Sequence, residues 1–195
     1  MSTITERRGG RPRDPAVDDA ILTATIELLG EVGYTATSME EVRRRAGVGK
    51  DTLYRRWPAK EALVRDAIAR LAAREITVPH TDDPAADLRA YLTEIVRILT
   101  VGDFGRIIAG LVGEAARSSQ LAVTFHAFWA ERRNAARTVV RRWLEVTRPA
   151  DLDAADLFVD LLAGALYYRY LLSGAPLTSK AVDDLVALLE GAPPA

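Results

Sequence analysis

The sequence predicts an all-α fold of about nine helices: a three-helix unit holding a helix-turn-helix, followed by a larger helical half. Three observations predict it. Apolar residues recur at three- and four-residue steps along nearly the whole chain. Two short helical patterns are separated by only three residues, Gly47-Val48-Gly49. No stretch alternates apolar and polar residues as a half-buried strand would.

The first helix opens at Asp14-Pro15, since proline is tolerated in a first helical turn. Val17, Ile21, Ala24, Leu28 and Val32 give it one buried face, and Gly33 stops it. Ser38 and Glu41 have capping-box spacing for a second helix, whose short apolar face is Met39, Val42 and Ala46 and whose left-handed stop is Gly47. The third helix runs from about Lys50 to Trp57 and ends because Pro58 follows. Helices this short, joined by so short a turn, must cross steeply. Val42, Val48, Leu53 and Trp57 then face the first helix. A fourth helix, about residues 59–74, turns Leu63, Ala67 and Leu71 inward.

Between Ile76 and Asp83 the periodicity breaks, marking a linker. Asp83-Pro84 starts another helix carrying Leu88, Leu92, Ile95 and Leu99, and Phe104 to Ala115 form the next. A long helix covers about 119–146, and two last ones cover about 151–172 and 179–189. The expected organisation is a flexible basic arm at 1–13, a helix-turn-helix domain at 14–75 and a helical ligand-binding and dimerisation domain at 76–195.

Composition excludes several classes. With 49% hydrophobic and 27% charged residues over 195 positions, the chain is of globular composition. There is no cysteine, so thiolate metal sites and disulfides are excluded. His80 and His126 lie far apart, without metal-ligand spacing. Gly49-Lys50 lacks the flanking residues of a phosphate loop, and no G-x-S-x-G element exists. No catalytic residue, metal or cofactor is therefore expected. With neither a secretory h-region nor an apolar run of membrane length, the expected location is cytoplasmic, with no membrane partner.

The net charge of −1 hides a cluster. Between Val42 and Lys60 stand Arg43, Arg44, Arg45, Lys50, Arg55, Arg56 and Lys60, against the single acid Asp51. A DNA major groove admits one α-helix and displays a different donor and acceptor pattern for each base pair. Lys50, Asp51, Thr52, Arg55 and Arg56 form the polar side of the third helix and are expected to face bases, while Tyr54 would meet a phosphate. Ser38 and Lys60, at helix N-termini, are placed to favour phosphate as well.

The stretch from Thr37-Ser38-Met39-Glu40-Glu41-Val42 through Ala46-Gly47-Val48-Gly49-Lys50-Asp51-Thr52-Leu53-Tyr54 to Lys60-Glu61-Ala62-Leu63 resembles the DNA-binding domain of the TetR/AcrR regulators. The resemblance covers roughly residues 14–70. It implies that Thr52, Tyr54 and Lys60 contact DNA, and that a double-stranded operator, a small-molecule effector and a second copy of the chain are the partners. The implied activity is ligand-responsive transcriptional regulation, with repression of a palindromic operator relieved by effector binding. Gly49, Arg56 and Trp57 depart from residues common in that family, so base readout by Arg56 would be particular to this chain.

The second half resembles the family's C-terminal domains more loosely. Phe104, Ile108, Leu111, Phe125, Trp129 and Tyr168 are the candidate lining of an effector cavity, with His126 or Arg106 as a polar anchor. The cationic run Arg132, Arg133, Arg137, Arg141 and Arg142 reads as a solvated face, part of which an anionic ligand could use. The helix over 151–172 is apolar around nearly its whole circumference, which a second subunit would cover. Leu157, Leu161, Ala165, Tyr170, Val182, Leu185 and Leu189 are the candidate homodimer contacts. In the arm, Gly10-Arg11-Pro12 resembles a minor-groove AT-hook, making Arg11 and Arg13 candidate DNA contacts. A helical protein-interaction module without sequence-specific DNA binding is the other reading open at this point.

Overall fold

Five of the helices begin where a side chain takes up an orphan backbone donor. In a computed structural model of the protein, which describes residues 14–75 and 79–191, Asp14 accepts from the Ala16 amide at 3.0 Å and opens α1 (Pro15–Ala36). The candidate contacts Arg11 and Arg13 lie outside the described residues. Gly33 breaks α1 with φ 75° rather than ending it, and the chain regains a helical turn to Ala36. That break leaves Val32, expected inside, 50% exposed.

Ser38 caps α2 (Met39–Ala46) by accepting from the Glu41 amide at 3.1 Å. Only half of the capping box forms, because the Glu41 carboxylate pairs with Arg44 instead. Gly47 closes α2 in the left-handed conformation, φ 67° and ψ 31°, which glycine adopts without steric cost. Helix α3 (Lys50–Arg56) follows from Gly49, which has no side chain with which to cap it. Helix α4 (Lys60–Glu75) completes the N-terminal part. Ile21, Leu28, Val42, Leu53, Trp57 and Leu63 form its core, so α3 is seated on α1 and α2 by Leu53 and Trp57.

In the C-terminal part, Asp83 caps α5 (Pro84–Thr100) with bonds from the Ala85 and Ala86 amides. Then come α6 (Phe104–Ala115), the long α7 (Ser119–Thr147), a 3-10 stretch (Pro149–Ala154), α8 (Ala155–Tyr168) and α9 (Ser179–Leu189). The end of α8 widens into a π turn over Arg169–Ser173. No strand occurs among the described residues, and none of their helices is long and apolar enough to cross a membrane.

Two further cores divide this half. Trp143, fully buried, meets the Phe158 ring at 5.7 Å and anchors a cluster of α5, α7, α8 and α9. The second cluster joins Leu29 of α1 and Val64, Ile68 and Ala72 of α4 to Phe104, Ile107, Ile108 and Leu111 of α6 and Phe128 of α7. The apolar periodicity of the sequence breaks near residue 76, but apolar packing runs straight across from α1 and α4 into α6 and α7. Both parts of the molecule therefore share one of its three cores.

Asp87 pins the approach to α5. Its carboxylate is 2% exposed and accepts from the Thr81 amide and hydroxyl, both at 2.8 Å, and from Arg142 at 2.7 Å. Burial acts to raise its pKa, but the Thr81 bonds and the Arg142 guanidinium outweigh it and hold the carboxyl below its ordinary value. A carboxyl depressed in the folded state contributes stability above its unfolded pKa, about 3.9, which is lost as pH falls through the folded value. Asp87→Asn is accordingly expected to lower the thermal midpoint at neutral pH and to flatten the acid side of the midpoint-against-pH curve. Parallel curves for the two proteins would contradict this.

Candidate nucleic-acid interface and effector cavity

Seven cations crowd residues 42–60, but ion pairing separates them. Arg43 is held by Glu40, Arg44 by Glu41, and Arg45 reaches Glu31 with bonds of 2.7 and 2.8 Å. Exposed pairs such as these contribute little to stability and screen the net field of α2. Hydrogen bonding and charge from their partners push the three guanidinium pKa values up.

Two residues expected at the DNA face point elsewhere. Arg56 has a side chain only 8% exposed; it donates to Asp18 of α1, and through a second nitrogen to its own Thr52 carbonyl at 3.4 Å. The helical turn carries it towards α1, so in this structure it ties α3 to α1. Lys60 also turns inward. Its ammonium donates to the Tyr34 carbonyl and sits 3.9 Å from the centroid of the Tyr34 ring. Burial lowers its pKa. It braces α4 against the end of α1.

What remains on α3 is a short polar face. Lys50, Asp51, Tyr54 and Arg55 are exposed and Thr52 is half-buried. Among the described residues neither Lys50 nor Arg55 has an acidic partner; Lys50 only leans over the Tyr54 ring, 5.8 Å from its centroid. Leu53 and Trp57, both buried, fix the orientation of this face, and the Trp57 indole N–H donates to Asp66 at 2.9 Å. Ser38 stays exposed at the start of α2 with its hydroxyl oxygen engaged in the cap.

A cavity of about 550 Å³ opens between α5, α6, α7 and α8. Its size falls in the range of small-molecule sites and its wall is mostly apolar. Of the residues expected there, Phe104, Ile108 and Trp129 line it, as does His126. Leu111 faces α1 across the shared core, and Phe125 is packed behind Trp129, with ring centroids 5.8 Å apart. Tyr168 is 58% exposed on the outside; one position earlier, Tyr167 turns inward and meets the Trp129 ring edge-on at 5.2 Å. Arg106 lies outside the cavity, beside Asp103 and Gly30.

Tyr91, Tyr167 and Asp160 were not among the expected lining residues and all line the cavity, as does Arg132 of the cationic run. Tyr91 was legible: it stands three residues after Leu88 and four before Ile95, on the apolar face of its helix. The cationic run on α7 splits apart. Arg133 grips Asp160, Arg137 grips Asp156 and Arg142 grips Asp87, while Arg132 turns towards the cavity.

On α8, Leu157, Leu161, Tyr168 and, in the following turn, Leu172 are between 49% and 76% exposed, in a stripe at three- and four-residue steps completed by Gly164. Leu188 of α9 is exposed too. Ala165, Leu185 and Leu189 are half-buried. Val182 is 1% exposed in the protomer's own core. Tyr170 is likewise internal, its hydroxyl against Gly105, where a β-carbon would also strike the Leu99 carbonyl. Both belong to the protomer, because the helix end and the α9 face they occupy pack against α5 and α6.

Residues 21–67 match the family model described as bacterial regulatory proteins, tetR family, and residues 78–189 match the tetracyclin repressor-like C-terminal domain. The chain is 30% identical over 182 residues to the HTH-type transcriptional regulator YdeS of Bacillus subtilis, covering 93% of this chain and 91% of that one. It superposes on the TetR family transcription regulator SCO0332 with a TM-score of 0.76 and 35% identity, covering 90% and 97% of the two chains. A structure described as the flavonoid-responsive regulator FrrA gives a TM-score of 0.63 at 25% identity, covering 89% and 92%.

Proposed function

The chain belongs to the TetR family of bacterial regulatory proteins, and from that premise we propose that it is a homodimeric repressor, residing in the cytoplasm, that releases a two-fold operator when a small molecule enters the cavity between α5 and α8. Membership makes it a helix-turn-helix, DNA-binding transcriptional regulator. The observation that carries the DNA reading is the sorting of charges: of seven cations in the basic segment, Lys50 and Arg55 alone stand exposed without an acidic or carbonyl partner among the described residues, on one face of α3 with Tyr54. We assign base contact to Lys50, Thr52 and Arg55, phosphate contact to Tyr54, and a flanking position to Asp51 and Ser38.

Two such faces are needed. The exposed stripe of Leu157, Leu161, Tyr168 and Leu172 supports a second copy as its cover, since monomers rarely leave a contiguous apolar face this large in water. A two-fold pair sets the recognition helices on successive major grooves, roughly 34–36 Å apart. Helix α6 is the natural transmitter. Phe104, Ile108 and Val112 touch the cavity, while Glu114 accepts the Thr35 hydroxyl of α1 at 2.8 Å and Asp103 abuts Gly30. A ligand that displaces α6 would move α1, and with it the seat of α3, changing the half-site spacing. The flavonoid response named for one solved relative supports reading the cavity as an effector site.

The test is a gel-shift titration on DNA from the promoter region of its own gene at several salt concentrations. Operator affinity is expected to fall steeply with salt, and Lys50→Ala and Arg55→Ala each to cost about 1–3 kcal/mol and to relax preference at one base position. Salt-insensitive association would favour a protein-binding module instead.

A further inference from the structure

One charge in the cavity has no counterpart. The Nε of Arg132 is shielded from solvent and has no hydrogen-bond partner, and no ion pair reaches this guanidinium among the described residues. The Phe128 ring centroid lies 6.0 Å from its guanidinium carbon. The acid on the cavity wall, Asp160, is already spoken for, because Arg133 bonds both its oxygens. A guanidinium on an apolar cavity wall whose shielded Nε–H has no acceptor is uncommon, because buried polar groups are nearly always hydrogen-bonded. Two further polar groups open onto the same space: Tyr91 and Tyr167 line the cavity, and neither hydroxyl has a hydrogen-bond partner among the described residues. Arg132 acts electrostatically on Tyr91, and Tyr91 on Tyr167, so the three groups are neighbours. Burial raises the pKa of both phenols, which keeps them protonated and able to donate at neutral pH.

We propose that the effector is an organic anion: an apolar, ring- or chain-built body bearing one carboxylate-like group, received by the Arg132 guanidinium and the Tyr91 and Tyr167 hydroxyls. The inference rests on reading this cavity as the effector site. Its chemistry is a charge-assisted bond made in a dry pocket, where a planar guanidinium suits a carboxylate or sulfonate. Trp129, Phe104 and Ile108 would hold the apolar body.

The test compares two fluorescent probes of nearly the same shape, anilinonaphthalene sulfonate and its uncharged counterpart N-phenylnaphthylamine, titrated into the full chain. The anionic probe is expected to bind about tenfold or more tightly than the neutral one. Arg132→Met should erase that preference and leave the neutral probe within about twofold of its original affinity, and Arg132→Lys should restore part of it. Ile108→Trp, which fills the cavity, should expel both probes. Equal binding of the two probes, or an anionic preference that survives Arg132→Met, would overturn the anion anchor and leave the effector cavity standing. Failure of both probes to bind would remove the cavity reading itself.

Discussion

Leu161→Glu is expected to leave the protein monomeric and to reduce its operator affinity by about 10²–10⁴-fold, the factor that two linked half-site contacts contribute over one. Leu161 is 49% exposed in the protomer and stands mid-stripe, between Leu157 and Tyr168. In a monomer a glutamate there is solvated and disturbs nothing, so the far-ultraviolet circular dichroism should be unchanged. Across a two-fold axis the same substitution sets two carboxylates near one another within an apolar interface, which is costly by both repulsion and desolvation. The DNA effect follows from geometry, since a lone protomer has one recognition helix and reads one half-site. Sedimentation velocity and gel shift on the same preparation check both parts. A dimer that survives Leu161→Glu with full affinity would place the interface elsewhere on the molecule.

The second large effect concerns an ion pair between α1 and α3. Asp18→Ala strands the Arg56 guanidinium, whose side chain is 8% exposed, behind the recognition helix. Losing one partner of a fully buried pair costs about 3–5 kcal/mol; with the Asp18 side chain one-third exposed, about 2 kcal/mol is the reasonable scale here. Urea unfolding should show this loss. Because the bond joins α1 to α3, operator affinity should fall to a similar degree for every operator variant, with base preference unchanged. Arg56→Ala should behave in the same way. A change of preference confined to one base position in Arg56→Ala would return Arg56 to the groove and refute its role as a strut.

These two sites show what a sequence can and cannot disclose. Helix order, the caps at Asp14, Ser38 and Asp83 and the left-handed stop at Gly47 depend on neighbours a few residues away, so spacing alone predicts them. The basic cluster was visible as a count, but a count does not pair charges. Glu40 with Arg43 and Glu41 with Arg44 are three-residue helical neighbours and were readable. Arg45 with Glu31, Arg56 with Asp18 and Lys60 with Tyr34 join separate helices and need the tertiary fold.

The cavity gives the same lesson at finer grain. Tyr167 and Tyr168 are adjacent, and one helical step of about 100° sends one into the cavity and the other into solvent. An apolar helix read as greasy all round has, in the fold, one face in the protomer's core and one face bare. Val182 and Tyr170 fell on the first and Leu157 and Leu161 on the second, a division that depends on how α8 and α9 are rotated against α5 and α7. Arg132 looked like one more member of a solvated run because its isolation depends on which arginines Asp156, Asp160 and Asp87 had already taken.

Selection of duplex DNA from a random pool by the full chain, followed by sequencing, tests the central claim most directly. The account predicts an enriched inverted repeat with half-site centres one helical turn, about 10–10.5 base pairs, apart or a multiple of that, and loss of the enrichment in Arg55→Ala. A pool with no enriched sequence, or one enriched in a single asymmetric site that Leu161→Glu binds as well as the unaltered protein, would contradict it.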